Sequence, residues 1–191
     1  MNESAKGAKQ GSAPRIIVLD RDGVINYDSD NYIKTPAEWR PIPGSLEAIA
    51  QLNQLGYRVV IATNQSGIAR GMYSTQQLYS IHDKMQQAVR DAGGEIDGIF
   101  YCPHGPDDDC ECRKPRPGML RQIEAAFDIA LQDCVYVGDS LRDLQAARAV
   151  GARPVLVRTG YGEDTLAALP EEFSDVEVFA DLAEFVAGLH K

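Results

Sequence analysis

The sequence predicts an α/β fold: a Rossmann-like, mostly parallel sheet with helices on both faces. Short apolar, β-branched segments alternate with segments of helical periodicity along most of the chain, which is the pattern of repeated βα units. Several of the apolar segments end in polar or acidic residues, as strands do beside the ligand crevice of a parallel sheet. The chain has 191 residues, enough for one such domain, which we expect to span residues 15–191.

The first half of the chain contains two predicted strand–helix pairs. Residues 16–19 form a continuous apolar run, which is typical of a buried strand. The helix predicted over 45–55 has apolar residues at 46, 49, 50, 52 and 55, and Gly56 ends it. The β-branched segment 57–62 is the second strand. A helix over about 75–91 follows, because hydroxyl residues that cap helices precede it and two glycines close it.

The second half repeats the alternation. The remaining strands are predicted at 96–102, 134–137, 154–157 and 176–179. The remaining helices are predicted over about a dozen residues from Pro117, over 141–150 and over 181–189. Proline favours a first helical turn, and Gly151 ends the helix that precedes it.

Two segments fall outside this alternation. Residues 1–14 are rich in Gly, Ser, Ala and Lys and lack the apolar core of a signal peptide, so we expect a flexible tail. The polar stretch from 26 to 43 contains the only tryptophan, Trp39. We interpret it as an inserted flap that is too short to form a separate cap domain.

The charge balance excludes one class of partner. The chain has 28 acidic against 19 basic residues, a net charge of −9, whereas a protein that follows a nucleic-acid backbone needs a basic face. A small phosphorylated substrate remains possible, because a bound metal and a few local cations reverse the field around a site. No apolar run reaches the length of a membrane span.

We expect a cytoplasmic location, since no targeting segment is visible. A reducing compartment disfavours disulfides among the four cysteines. We also expect a monomer, because the sequence shows neither a coiled-coil pattern nor an exposed apolar stripe.

The end of the first strand carries two carboxylates one residue apart, Asp20 and Asp22. Such groups repel each other, and a divalent cation between them relieves the repulsion. If the cation also binds a phosphate, one carboxylate attacks phosphorus while the other transfers protons. An acidic turn after a strand is the structural alternative.

Three later segments supply complementary groups. Thr63 follows the second strand and offers a hydroxyl to a phosphoryl oxygen, and Lys114, after Arg113, offers positive charge. Asp139 follows the strand over 134–137 and completes a magnesium site with Asp20, while Asp143 lies one helical turn further on. Each residue alone is compatible with a helix cap, a turn or a solvated charge. The order of all of them, each at a separate strand end or loop, indicates one active site.

A second metal site is predicted in the loop over 102–112. Its three thiols and one imidazole form the pattern Cys-x-His-x₅-Cys-x-Cys, with candidate ligands Cys102, His104, Cys110 and Cys112. Four such ligands make a closed tetrahedral zinc site without an open position, so the zinc would be structural. The alternatives are a disulfide or unrelated surface thiols. Since the loop leads directly into Arg113 and Lys114, zinc would hold these side chains over a phosphate.

From about residue 15 to 157 the chain resembles the haloacid dehalogenase (HAD) superfamily of phosphatases. The resemblance implies that Asp20 is the nucleophile, that Asp22 is the acid and then the base, and that Thr63 and Lys114 stabilise the transferred phosphoryl group. It implies Mg²⁺ held by Asp20, the backbone carbonyl of Asp22, and Asp139. Phosphoryl transfer depends mostly on positioning and charge neutralisation, which agrees with these roles.

The zinc loop followed by Cys-Arg-Lys-Pro resembles one branch of the superfamily. That branch contains the D-glycero-D-manno-heptose-1,7-bisphosphate 7-phosphatases and the histidinol-phosphate phosphatases. The segment 63–71 is similar to the heptose enzymes, whereas the histidinol enzymes tend to have Asp at the position of Ser66. The zinc loop, with five residues between His104 and Cys110, is shorter than in some heptose enzymes.

The resemblance implies hydrolysis of the 7-phosphate through an aspartyl-phosphate, in the synthesis of nucleotide-activated heptose for lipopolysaccharide core. The alternative enzyme is a phosphatase of histidinol phosphate or of another small sugar phosphate. The preferred anomer stays open. We expect Arg113 to bind the distal phosphate and the flap to contact sugar hydroxyls. The full set of expected substrate contacts is Asp28, Tyr32, Asn64, Gln65, Ser66 and Arg113.

Two readings from other classes remain: a non-catalytic phosphoacceptor module, and a zinc-dependent interaction protein with a decayed site. Asp22 argues against the first, because a phosphatase needs an acid and base beside its nucleophile. The second is disfavoured because every expected catalytic position is occupied by a competent residue. Cys134 is interpreted as a small buried apolar residue, and His82 and His190 receive no role.

Overall fold

The computed structural model describes residues 15–132 and 134–189. The predicted tail, residues 1–14, lies outside the described residues, as does His190.

Strands and helices alternate through the described residues as βα units. In chain order they are β1 (Arg15–Leu19), α1 (Ser45–Gln54), β2 (Tyr57–Asn64), α2 (Thr75–Asp91), β3 (Gly98–Cys102), α3 (Gly118–Phe127), β4 (Val135–Gly138), α4 (Leu141–Ala149), β5 (Arg153–Val157), α5 (Gly162–Ala167), a 3₁₀ turn (Glu171–Phe173), β6 (Glu177–Phe179) and α6 (Leu182–Gly188). No helix among these combines the length and apolar character needed to cross a bilayer.

The strands form one sheet in the order β3-β2-β1-β4-β5-β6, and every neighbouring pair is parallel. The chain moves outward from β1 to β3 and then returns to the other side of β1, where β4 begins. Leu19 at the end of β1 lies opposite Ile61 on one side and Val137 on the other. The order reverses between β1 and β4, and ligands of open α/β sheets bind at such a switch point.

Both faces of the sheet are covered, as predicted. Successive residues of a strand point to opposite faces, so Ile17 and Leu19 enter one core and Ile16 and Val18 the other. The first core takes its helical residues from α1, α2 and α6. The second takes them from α3 and α4. The predicted Rossmann-like α/β fold, a parallel sheet with helices on both faces, is confirmed.

Several element boundaries differ from the sequence prediction. β2 continues to Asn64 because Thr63 and Asn64 pair with Tyr101 and Cys102 of β3. Helix α3 begins at Gly118, with Pro117 just before it. The helix α5 was not predicted from sequence, because its only buried residue is Gly162 and it has no apolar stripe.

The flap contains neither a helix nor a strand, and side chains hold it against the rest of the fold. Trp39 is almost fully buried, and its indole Nε1 donates to Asn26 Oδ1 at 2.9 Å. Lys84 of α2 donates from Nζ to the carbonyl oxygens of Pro36 at 2.6 Å and Trp39 at 3.0 Å. The flap is therefore fixed at its base, next to the carboxyl end of β1, and is a minimal cap.

Candidate active site

A polar cavity of about 350 Å³ opens at the carboxyl ends of β1, β2 and β4. Its size falls in the range of small-molecule sites. Every catalytic, magnesium and substrate residue predicted from the sequence lines it. These are Asp20, Asp22, Asp28, Tyr32, Thr63, Asn64, Gln65, Ser66, Arg113, Lys114 and Asp139. The parallel sheet brings them together because its strand ends share one edge.

Asp20 directly follows β1, and its backbone N–H donates to Val137 of β4 at 2.9 Å. One oxygen of its carboxylate, Oδ1, accepts from the backbone N–H of Arg21 at 2.7 Å and lies 3.0 Å from Lys114 Nζ. Burial raises the pKa of Asp20 to about 7, although the charge of Lys114 opposes the shift. Its negative charge is therefore only partly compensated by the protein.

Asp139 follows β4 and lies beside Asp20. Oxygens of Asp20, Asp139 and Asp143 all lie within 4.8 Å of one another. Burial, and then the charges of Asp143 and Asp20, raise the pKa of Asp139 well above its usual value. Asp143 is already bonded to Lys114 at 2.6 Å and to the Ser140 hydroxyl at 2.6 Å. Asp20 and Asp139 thus remain as a pair of buried hard oxygen donors, which suits a divalent cation such as Mg²⁺.

Gly23 makes room for this pair of carboxylates. A Cβ on Gly23 would lie 2.0 Å from Asp139 Oδ2, and its φ of +79° is one that other residues rarely adopt. Only glycine fits between the two acidic strand ends.

Lys114 is a buried cation with a fixed position. Its Nζ contacts Asp20 and Asp143 and also donates to the carbonyl oxygen of Ala62 at 2.8 Å and to the Tyr136 hydroxyl at 3.0 Å. Burial lowers the pKa of a lysine, but here the charges of Asp143 and Asp20 outweigh it and raise the pKa well above the usual value. Lys114 therefore carries a permanent positive charge beside Asp20.

Asp22 is held by three side chains. Arg21 donates from Nη2 to both carboxylate oxygens, at 2.9 and 2.8 Å, and from Nε to Oδ1 at 3.1 Å. Asn26 Nδ2 donates to Oδ1 at 2.8 Å and Gln65 Nε2 to Oδ2 at 2.9 Å. Burial raises the pKa of Asp22, but Arg21 and these hydrogen bonds more than offset it, so the pKa is lowered. The carboxylate is ionised and fixed in orientation.

The residues at the end of β2 form hydrogen bonds mainly with other residues of the site. Thr63 Oγ1 accepts from Gln65 Nε2 at 2.8 Å, which leaves the hydroxyl proton of this buried threonine to donate elsewhere. The Asn64 side chain bonds the backbone of Lys114 in both directions, at 3.1 Å each. Gln65 also accepts from the Tyr73 hydroxyl at 2.6 Å. Asn64 and Gln65, expected to contact substrate, thus also position Lys114 and Asp22.

The Cys/His loop brings its four predicted ligands together. Distances between Cys102 Sγ and the other ligand atoms are 3.6 Å to His104 Nδ1, 3.6 Å to Cys110 Sγ and 3.2 Å to Cys112 Sγ. These are close to the edges of a tetrahedron around a zinc ion with bonds of about 2.0–2.3 Å. The donor set of three sulfurs and one nitrogen therefore fits zinc, and the loop leads straight into Arg113 and Lys114.

Two arginines in the cavity were missed by the sequence reasoning. Arg70 and Arg142 line it together with Arg113, whose Nη1 donates to the His104 carbonyl at 3.3 Å. Burial, and the nearby charges of Arg142 and Arg70, lower the pKa of Arg113, which still stays charged. Both missed residues lie near residues already selected, Arg70 within the segment 63–71 and Arg142 between Asp139 and Asp143, but a single arginine at a loop end carries no distinguishing pattern.

Two further residues were missed beside Asp22. Arg21, between the two aspartates, is almost fully buried, and its Nη1 lies 3.2 Å from His82 Nε2. His82 lies on α2, 61 positions further along the chain. No local pattern in the sequence predicts the contact between Arg21 and His82.

Comparison with known proteins identifies the family of the chain. A protein-family model described as "HAD-hyrolase-like" matches residues 111–185. A D-glycero-beta-D-manno-heptose-1,7-bisphosphate 7-phosphatase of Pseudomonas putida is 56% identical over 170 residues, which is 88% of this chain and 95% of the relative.

Two solved structures agree. D,D-heptose 1,7-bisphosphate phosphatase from B. bronchiseptica, complexed with magnesium and phosphate, superposes with a TM-score of 0.88 at 54% identity and covers 92% of this chain and 98% of its own. The phosphatase of the same name from Burkholderia thailandensis gives a TM-score of 0.72 at 46% identity, covering 93% of this chain and 99% of its own. The chain therefore belongs to the family of D-glycero-beta-D-manno-heptose-1,7-bisphosphate 7-phosphatases, within the haloacid dehalogenase superfamily.

Proposed function

We propose that this chain is a Mg²⁺-dependent phosphatase that removes the 7-phosphate of D-glycero-β-D-manno-heptose 1,7-bisphosphate. The observation that carries the proposal is the Asp20–Asp139–Lys114 cluster in a chain 56% identical to an enzyme of that name. The β anomer follows the names of the relatives. We place the reaction in the cytoplasmic synthesis of nucleotide-activated heptose for lipopolysaccharide core.

In the first half of the reaction, Asp20 attacks phosphorus and the bond between phosphorus and the C7 oxygen breaks. Asp22 donates a proton to that oxygen, and Asp20 carries the phosphoryl group as an aspartyl-phosphate. Asp20, the backbone carbonyl of Asp22 and Asp139 would hold Mg²⁺, which would neutralise charge on the phosphoryl oxygens. The Thr63 hydroxyl donates a hydrogen bond to one of those oxygens. Lys114, whose position is fixed, balances their negative charge.

In the second half, a water molecule attacks phosphorus while Asp22 accepts its proton, and the bond between the Asp20 oxygen and phosphorus breaks, which releases inorganic phosphate and regenerates Asp20. The pKa of Asp22 is lowered in the free protein, so its carboxylate is ionised there and able to accept a proton. For the first half Asp22 must carry a proton. The negative charge of a bound bisphosphate supports this, because nearby negative charge raises the pKa of a carboxyl group.

The arginine cluster of Arg70, Arg113 and Arg142 supports a substrate with a second phosphate. Guanidinium groups bind phosphate oxygens in bidentate fashion. Histidinol phosphate carries an ammonium group in place of that phosphate, and three arginines would repel it. We assign the distal phosphate to this cluster, and sugar hydroxyls to Asp28, Tyr32 and Ser66.

Phosphate release from both anomers of heptose 1,7-bisphosphate, measured with Mg²⁺ beside histidinol phosphate, tests the proposal. We expect kcat/KM for the β anomer to exceed that for histidinol phosphate by at least about a hundredfold, as the loss of a charged contact requires. Asp20→Asn is the control for the covalent step: it removes the nucleophile with little change in volume, so turnover should vanish while the fold remains. A preference for histidinol phosphate would overturn the substrate, and clear turnover by Asp20→Asn the aspartyl-phosphate.

A further inference from the structure

We propose that His82 is a positioning residue for the acid/base Asp22, acting through the guanidinium of Arg21. The inference rests on the proposed function, since it takes Asp22 to be the group that transfers protons. It adds a residue that touches neither substrate nor metal in the mechanism above.

Arg21 has one orientation because its donors are divided among three side chains. Nε and Nη2 donate to the carboxylate of Asp22, while Nη1 lies 3.2 Å from His82 Nε2. Nη2 also reaches Gln65 Oε1 at 3.2 Å. The guanidinium is planar, so a partner on Nη1 determines how the opposite edge meets the carboxylate. The side chain is only 1% exposed, and water cannot easily replace His82 there.

The chemistry of the contact requires a neutral imidazole. Arginine only donates hydrogen bonds, so His82 Nε2 must accept, and the ring proton then lies on Nδ1. Burial, and then the positive charge of Arg21, lower the pKa of His82 to about 3. His82 is therefore an uncharged acceptor over the working range of pH and leaves the charge of Arg21 directed at Asp22.

His82 is itself held in place by α2 and β3. A capping box at Ser74 and Gln77 begins α2, and His82 lies buried on that helix. The imidazole also packs edge-to-face against Tyr101 of β3, at 6.1 Å between ring centroids. The Tyr101 hydroxyl is bonded to that of Tyr79, at 3.0 Å. The ring thus rests on two elements of the fold rather than on a loop, as precise positioning demands.

The contact between Arg21 and His82 matters for the rate of proton transfer by Asp22. Asp22 must meet the leaving oxygen in one step and the attacking water in the next, and a displacement of about 1 Å costs up to about a hundredfold in rate. A histidine that only filled space would affect stability but would not act selectively on steps that need the proton.

The test compares two substrates with different leaving groups. Heptose bisphosphate releases a strongly basic alkoxide that needs a proton, whereas p-nitrophenyl phosphate releases a weakly basic phenolate that does not. kcat/KM reports events up to phosphoryl transfer to Asp20, so it isolates the acid step. We expect His82→Leu to lower kcat/KM for the bisphosphate about tenfold to a hundredfold, through kcat, and to change that for p-nitrophenyl phosphate less than about threefold. His82→Gln, which keeps an acceptor for Arg21, should restore most of the loss.

Matched variants separate the possible causes. Met85→Ala removes another buried side chain of α2, so it should lower Tm and leave the ratio of the two kcat/KM values unchanged. If His82→Leu does not fold, Arg21→Lys replaces it in the same test, because lysine keeps the positive charge but cannot bond both Asp22 and His82. Equal losses on both substrates, no loss at all, or no rescue by His82→Gln would overturn the inference.

Asp22→Asn distinguishes this failure from failure of the proposed function. A selective loss on the bisphosphate in Asp22→Asn supports the acid role of Asp22 whatever His82 does. If Asp22→Asn lowers kcat/KM for both substrates equally, the acid role of Asp22 is wrong, and the inference about His82 is wrong as well.

Discussion

Three buried carboxylates, Asp20, Asp139 and Asp143, lie together at the centre of the site, and Lys114 forms ion pairs with two of them, Asp20 and Asp143. Lys114 is closest to Asp143, at 2.6 Å, and further from Asp20, at 3.0 Å. At the level of single residues, the charge of Lys114 therefore compensates mainly Asp143, which does not line the cavity, and Asp20 to a smaller extent. The raised pKa values of Asp20 and Asp139 record the remaining need for positive charge.

Gly23→Ala tests how tightly Asp139 is placed. The new methyl group would meet Asp139 Oδ2 at 2.0 Å, so we expect the carboxylate to move and Mg²⁺ to lose its effect on activity and Tm. The measurement is activity and thermal unfolding as a function of Mg²⁺ concentration. Gly56→Ala is the matched control, because Gly56 has a similar φ of +82° with nothing within 4 Å. An unchanged response to Mg²⁺ in Gly23→Ala would show that Asp139 is not a ligand.

Arg142→Met tests the arginine cluster. We expect KM for the 1,7-bisphosphate to rise about tenfold, since a partly exposed charge-assisted hydrogen bond is worth about 1.5 kcal/mol. KM for heptose 7-phosphate, which lacks the distal group, should stay the same. Arg121→Met, an exposed arginine of α3 outside the cavity, serves as control. An equal rise of KM for both substrates would place Arg142 at the reacting phosphate instead.

At the level of elements, the cavity is assembled by parts that differ in how they are stabilised. Strands β1, β2 and β4 have apolar cores on both faces, whereas the loop 102–112 contacts the second core only through its cysteines and otherwise carries mainly Gly, Pro and Asp. Bound zinc would order a loop of that composition. Arg113 depends on it directly, since its side chain bonds the His104 carbonyl.

Cys110→Ser tests the role of that loop. We expect the zinc content of purified protein to fall and KM for the bisphosphate to rise, because Arg113 loses its support. Metal analysis and steady-state kinetics on the same preparation provide the measurement. Cys134→Ser, outside the cluster, should retain zinc and activity. Full zinc content with wild-type kinetics in Cys110→Ser would contradict the four-ligand assignment.

At the level of the whole molecule, the sequence predicted the sheet and the gathering of strand-end residues for one reason. In a parallel sheet all carboxyl ends share an edge, so Asp20, Thr63 and Asp139 could be placed together without knowing the strand order. The contact between Arg21 and His82 could not be foreseen. It depends on which face of α2 meets the end of β1, and helical periodicity identifies a buried face without identifying its neighbour.

The same limit explains the other differences. The helix α5 has almost no buried side chain, so its sequence lacks the pattern by which a helix is recognised. Thr63 and Asn64 continue β2 because β3 lies beside them, which is a property of the pairing rather than of the residues. The sequence of this chain predicts the chemistry of local motifs, whereas contacts between distant segments are known only from the three-dimensional structure.

The buried indole at the base of the flap is an intrinsic fluorophore close to the active site. Trp39 is the sole tryptophan, and its ring nitrogen donates to Asn26, whose amide bonds the carboxylate of Asp22 at 2.8 Å. Because this single tryptophan lies two hydrogen bonds from the proposed acid/base, we expect its emission to respond to movements of the flap and of the carboxylate. We therefore expect stopped flow on unlabelled protein to follow ligand binding, the proposed phosphorylation of Asp20 and product release.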